Sequence, residues 1–106
     1  MIRHTVAFAL RHPPGSGAEL SFLAAARALA TIPGVRNFEL ICKRSTATGF
    51  AFEMSMEFAN DRVYENYNTH PDHMRFVMHR WKPEVLAYRE QDFSEQDFSK
   101  QVVDDL

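Results

Sequence analysis

Two segments of the chain alternate between large apolar residues and polar or small ones, which is the pattern of a β-strand with one buried face. One face of the strand predicted for residues 2–11 carries Ile2, His4, Val6, Phe8 and Leu10. The segment 50–58 shows the same pattern more strongly, with large residues at Phe50, Phe52, Met54, Met56 and Phe58. His4 is therefore expected on an otherwise apolar strand face.

A helix is predicted between these two strands. Ser16 and Glu19 have the spacing of a capping box, and an alanine-rich run follows them. Phe22, Ala26 and Leu29 fall on one stripe of that helix, which Ile32-Pro33-Gly34 ends.

A second helical region is predicted after the strand at 50–58, and it is broken in the middle. Asn60 can cap its first part, which runs toward Asn68. His70 precedes a proline and is thereby driven out of the α conformation. Pro71 suits the first position of a new helix, and Pro83 is expected to end it.

Residues 35–43 and 85–93 complete the pattern as two further strands, with Phe38, Leu40 and Cys42 on the apolar face of the first. The order β-α-β-β-α-β is that of a ferredoxin-like α+β fold with an antiparallel sheet. We expect one domain over residues 1–93 and a polar, mobile tail over residues 94–106. The uncovered sheet face has small or apolar positions, which favours a homodimer closed sheet on sheet: Ala7, Ala9, Ile41 and Ala51.

Composition narrows the function without specifying it. The 106 residues carry a net charge of -2, which predicts no attraction to nucleic acid or to an anionic membrane. The apolar stretch 6–10 is too short for a membrane span or a secretory signal. Cys42 is the only cysteine, so no internal disulfide can form. The expected location is the cytoplasm.

The segment His70-Pro71-Asp72-His73 is the best candidate for chemistry. If a helix begins at Pro71, His73 lies in its first turn, where the helix dipole lowers the imidazole pKa. A histidine that is neutral near pH 7 can act as a general base. Spacing alone favours the alternative, in which His70 and Asp72 are capping or surface residues and His73 is a partly buried structural histidine.

His4 and Tyr67 can extend this site, because both place a polar group where burial is expected. Each is either a core residue with a satisfied hydrogen bond or a part of a pocket shared with His73. A metal site is not expected, since His70 and His73, with His79 nearby, lack convergent cysteine or carboxylate partners.

These residues together resemble the stress-responsive dimeric α/β-barrel family, whose members are called Dabb domains. The likeness covers residues 2–93 and lies in the strand that contains His4, in Ile32-Pro33-Gly34-Val35, in the strand at 50–58, and in His70-Pro71-Asp72-His73 followed by Phe76. The resemblance implies a homodimer whose two sheets join in a barrel, with no metal or organic cofactor.

The likeness to one plant member, olivetolic acid cyclase, implies roles for individual residues. The catalytic histidine and tyrosine of that enzyme look like His73 and Tyr67, and its pocket histidine looks like His4. The resemblance also implies an apolar pocket for a small hydrophobic or aromatic carbonyl compound, lined by Val6, Phe8, Phe22, Leu23 and Met54.

The activity implied is that of a lyase, cyclase or isomerase that removes a proton next to a carbonyl group. His73 would be the base, Tyr67 would orient the carbonyl oxygen, and His4 would position the substrate. The bulk of Phe52 and Met54 reduces the space for a long polyketide tail. Two alternatives stay open: a non-catalytic, stress-associated or ligand-binding protein, and a cofactor-free monooxygenase of the related dimeric-barrel group.

Overall fold

The computed structural model describes residues 1–43 and 49–94. Within them, four antiparallel strands form one sheet in the order β2-β3-β1-β4. The elements are β1 (Ile2–Leu10), α1 (Gly17–Arg27) with a 3₁₀ turn (Ala28–Thr31), β2 (Arg36–Cys42), β3 (Phe52–Phe58), α2 (Asp61–Thr69), α3 (Pro71–Phe76), a π-helical turn (Val77–Trp81), α4 (Lys82–Glu84) and β4 (Val85–Ser94). This order confirms the predicted ferredoxin-like fold.

The alternation in the sequence becomes the burial pattern of the two central strands. Phe52, Met54, Met56 and Phe58 of β3 are buried, and the residues between them are half-buried on the other face. β1 pairs with β3 so that Val6 lies opposite Met54 and His4 lies opposite Met56. Each fully buried large apolar side chain contributes about 1.5–3 kcal/mol, so this face of the sheet carries much of the stability.

The helices begin at the predicted residues. Ser16 Oγ accepts a hydrogen bond from the backbone N–H of Glu19 at 3.2 Å, and Asn60 Oδ1 accepts one from that of Val63 at 2.9 Å. The Glu19 carboxylate accepts from the backbone N–H of Gly15 instead of that of Ser16, so the capping box is only half formed. Both caps fix where the helices leave the sheet.

The predicted break at His70-Pro71 is present. His70 has a ψ of 135°, which is extended backbone, and separates α2 from α3. Its Nδ1 accepts a hydrogen bond from the backbone N–H of Asp72 at 3.1 Å, and Asp72 pairs with Arg75 on the surface. His70 and Asp72 thus shape the start of α3, and the break changes the direction of the chain just before His73.

Three details differ from the sequence prediction. Cys42 is exposed, and Phe38 and Leu40 are only half-buried, because β2 is an edge strand. Pro83 lies inside α4 and does not end the helical region, since its missing N–H is tolerated in a first turn. β4 extends through Ser94, the first residue of the predicted tail; residues 95–106 lie outside the described part of the chain.

The face of the sheet away from the helices is not fully buried. Ile41 is exposed there, and Glu53, Ser55 and Glu57 are half-buried. In the described part of the chain, no helix is both long and apolar enough to cross a membrane.

Candidate functional site

A cavity of about 630 Å³ lies between the helix-facing side of the sheet and the helical region from α2 to α4. Its volume and its largely apolar walls with a few polar groups are typical of a small-molecule site. The sheet contributes Val6, Met54 and Glu90, and the helical region contributes Tyr67, Asn68, His73, Phe76 and Trp81. The space between this helical region and the sheet is therefore not completely filled by side chains.

His73 lines this cavity in a defined tautomeric state. Its Nδ1 lies 3.0 Å from the backbone carbonyl oxygen of Asn68, which can only accept a hydrogen bond. Nδ1 therefore donates, and in the neutral ring Nε2 keeps the lone pair. Because α3 starts directly after the His70-Pro71 break, the ring is directed back toward the last turn of α2.

Burial lowers the pKa of His73, and the charge of His4 acts in the same direction. The hydrogen bond to Asn68 raises the pKa, but less strongly than burial lowers it. The lowered pKa of His73 was expected from the sequence, but its main cause is partial burial and not the helix dipole. His73 is a neutral base near pH 7.

Tyr67 lies beside His73 on the same cavity. Its side chain is only 1% exposed, and its ring centroid is 4.4 Å from that of His73 and 5.0 Å from that of Phe58. Burial raises the pKa of Tyr67, with a smaller contribution from the charge of Glu90, so the hydroxyl stays protonated. A protonated phenol next to a neutral imidazole provides one hydrogen-bond donor and one base within a single cavity.

His4 belongs to a hydrogen-bonded cluster behind the cavity. Its Nδ1 donates to Asp92 Oδ1 at 2.6 Å, and the hydroxyl of Tyr64 donates to Asp92 Oδ2 at 2.7 Å. The Tyr64 hydroxyl is also 3.0 Å from His4 Nδ1. Burial raises the pKa of Tyr64, as does its hydrogen bond to Asp92. His4 itself does not line the cavity; it reaches the site through Glu90, whose Oε1 lies 3.7 Å from its Nδ1.

The same cluster contains the residues best placed to ligate a metal ion in the described part of the chain. One donor atom each from His4, Glu90 and Asp92 lies within 4.8 Å of the other two. The hydrogen bonds among His4, Asp92 and Tyr64 satisfy the His4 and Asp92 atoms without an ion.

The five residues expected to bind substrate separate into two groups. Val6 and Met54 line the cavity. Phe8, Phe22 and Leu23 do not line it and belong to the hydrophobic core beside it. Phe22 packs against three aromatic rings at centroid distances between 5.5 and 6.2 Å: Phe8, Phe76 and Trp81.

Sequence reasoning missed Tyr64, Glu90 and Asp92. Glu90 and Asp92 alternate along β4, and this spacing places them on one face of the strand. Which face that is depends on the pairing of β1 with β4, where Val6 lies opposite Glu90 and His4 lies opposite Asp92. The register shifts at Ala9/Leu10, and no local pattern in the sequence shows that shift.

The chain is similar to known proteins in sequence and in fold. Residues 2–95 match the sequence model of the stress responsive A/B barrel domain, Dabb. A Dabb family protein with a ferredoxin-like fold from Mesorhizobium loti is 45% identical to the chain, with 88% of this chain and 94% of that one covered and a TM-score of 0.84. Among curated proteins, none is similar enough to count as a match.

Two more distant structures share the fold alone. A dimeric ferredoxin-like protein of unknown function from Thermobifida fusca is 21% identical, with 88% and 89% of the two chains covered and a TM-score of 0.74. A hydroxynitrile lyase from Passiflora edulis is 15% identical, with 87% and 90% covered and a TM-score of 0.77.

Proposed function

The chain belongs to the stress-responsive A/B barrel (Dabb) family, and from that premise we propose that it is a cofactor-free lyase, cyclase or isomerase. Its reaction begins with removal of a proton next to the carbonyl group of a small apolar or aromatic compound. The observation that carries the proposal is the pairing of His73 and Tyr67 on one open cavity, with ring centroids 4.4 Å apart.

The two side chains divide the first step between them. Nε2 of His73 accepts the carbon-bound proton, and the electron pair of the broken C–H bond moves to the carbonyl oxygen as an enolate forms. The Tyr67 hydroxyl donates a hydrogen bond to that oxygen as its negative charge develops. The enolate can then react in three ways. If the proton returns at a second carbon, the substrate is isomerised. If the enolate carbon attacks a second carbonyl group, a ring closes, and if a leaving group is lost, the reaction is that of a lyase.

His4 supports the site from behind in this proposal. Asp92 holds its imidazole, and Glu90 links it to the cavity at 3.7 Å, so we assign it as a positioning residue that does not touch the reacting atoms. Val6 and Met54 contact the ligand as the apolar wall. Phe8, Phe22 and Leu23 support that wall from the core.

A homodimer is part of the same proposal. Its support is the incompletely buried second face of the sheet, where Ile41 is 48% exposed, together with the dimeric protein of the same fold from Thermobifida fusca. The hydroxynitrile lyase from Passiflora edulis supports lyase chemistry on this scaffold. A cytoplasmic location and the monooxygenase alternative stay predictions.

A non-catalytic, stress-associated protein without a ligand site predicts side chains packed through the space between helices and sheet. The open cavity at Tyr67 and His73 favours a ligand site instead. The proposed enzyme differs from a non-catalytic ligand-binding protein in whether the bound compound exchanges a carbon-bound proton.

Deuterium exchange tests the proposed reaction without knowledge of the natural substrate. Phenylacetone in D₂O, followed by proton NMR, reports incorporation at the benzylic carbon next to the carbonyl group. We expect the exchange rate to saturate with phenylacetone and to exceed the rate with an equal concentration of free imidazole, which supplies the same base without the cavity. A rate that equals the imidazole control and shows no saturation contradicts the proposal.

A further inference from the structure

One wall of the cavity carries a carboxylate that the proposed proton transfer does not use. Glu90 lies on the helix-facing side of β4, opposite Val6 of β1. Its charge acts on both reacting groups, since it raises the pKa of Tyr67 and that of His73. The carboxylate therefore faces the same space as the base and the phenol.

Glu90 forms no ion pair with a lysine or arginine side chain in the parts of the chain that the structure describes. Its closest ion-pair partner there is His4 at 3.7 Å, and that imidazole lies nearer to Asp92, at 2.6 Å. The adjacent Arg89 belongs to the opposite face of the sheet, where its guanidinium lies 5.7 Å from the centroid of the Phe50 ring. Asp92 also accepts a hydrogen bond from the Tyr64 hydroxyl, so both of its carboxylate oxygens are occupied. The carboxylate of Glu90 is available to a ligand.

The surroundings of Glu90 suit an organic cation. Trp81 and Tyr88 both line the cavity, with ring centroids 5.6 Å apart in an edge-on arrangement, and Tyr88 shares the face of β4 with Glu90. Aromatic faces next to a carboxylate attract ammonium groups through their quadrupoles and through charge. Lys82 also lines the cavity, but its ammonium nitrogen lies 3.5 Å from the sulfur of Met78, an exposed residue. Its charge thus lies at the outer surface.

We propose that the cavity selects carbonyl compounds that carry an ammonium group, with Glu90 pairing with the ammonium and Trp81 and Tyr88 flanking it. The carbonyl end then lies toward Tyr67 and His73, and that part of the inference rests on the function proposed above. An anionic compound is disfavoured, because its charge would face the Glu90 carboxylate.

Three ligands of one skeleton test this selectivity: 4-(aminomethyl)acetophenone, 4-methylacetophenone and 4-acetylbenzoate. Calorimetric titration near neutral pH gives the Kd of each, and quenching of Trp81, the only tryptophan, reports whether the compound enters the cavity. We expect the ammonium compound to bind about tenfold more tightly than the neutral one, and the carboxylate to bind most weakly. High salt should reduce the preference in the unmodified protein, because it screens the partly exposed Glu90.

Glu90→Gln separates the carboxylate from the shape of the side chain. In this variant the Kd of the ammonium compound should rise to that of the neutral compound, whose own Kd should not change. Glu53→Gln makes the same change of charge on the opposite sheet face, where Glu53 pairs with Lys43, and should keep the preference.

Equal affinity for the ammonium and carboxylate compounds overturns the inference, as does a preference that survives Glu90→Gln or a failure of all three to bind. Failure of the proposed function is a different result. Selective binding without deuterium exchange from phenylacetone would overturn proton abstraction and leave the cation site. Exchange without selectivity would leave His73 as the base and remove Glu90 from substrate recognition.

Discussion

Replacement of His73 by alanine should lower kcat/KM for deuterium exchange from phenylacetone by about 10²–10⁴-fold, the contribution of a positioned general base. The variant removes the imidazole whose Nδ1 donates to Asn68 and whose Nε2 would accept the proton. The fold should survive, because His73 is only half-buried and its loss leaves the core side chains in place.

The matched control for this variant is His79→Ala, which removes an exposed imidazole from the same helical region. It should leave the rate unchanged. Free imidazole should partly restore exchange to the His73→Ala protein, because removal of the side chain leaves a space in the cavity wall that fits an imidazole ring. If the role of His73 is purely structural, no such rescue is expected. Full activity in His73→Ala would contradict the proposed mechanism.

Replacement of Phe22 by alanine should lower the free energy of unfolding by about 3–5 kcal/mol, as is usual when a buried phenylalanine is truncated. Phe22 is completely buried in α1 and packs against Phe8, Phe76 and Trp81. Such a loss is a large part of the ~5–15 kcal/mol that stabilises an ordinary domain.

Urea unfolding measures this effect, and Leu20→Ala is its control. Leu20 lies on the same helix but is 61% exposed, so its truncation should change stability by no more than about 0.5 kcal/mol. If Phe22→Ala instead leaves stability unchanged and alters the affinity for acetophenones, Phe22 lines the binding site as the sequence resemblance implied.

The fold was predictable because its determinants are local. Alternation in β1 and β3, the caps at Ser16 and Asn60, and the break before Pro71 each depend on residues within a few positions of one another. The placement of His73 near Tyr67 follows from the same break, since the two residues flank it on successive helices.

The rest of the site depends on pairing between distant parts of the chain. Glu90 and Asp92 reach the cavity side only because β4 pairs with β1 at one register, which includes an irregularity near Leu10. Phe22 has the apolar character of either a core or a pocket residue, and its position was decided by the packing of α1 against Phe8 and Trp81. Sequence periodicity identifies which face of a strand or helix is buried, but it does not show where the packing of that face leaves a cavity.

The pH dependence of kcat/KM for deuterium exchange tests the role of His73 most directly, because this quantity reports the ionisation of the free enzyme. Burial lowers the pKa of His73 from its ordinary value of 6.5, so the unprotonated base persists below that pH. A neutral base at His73 predicts that kcat/KM is highest near neutral pH and falls as the pH is lowered, through one ionisation whose midpoint lies below 6.5. A midpoint above 6.5, or activity that appears only at alkaline pH, would show that His73 is not the base.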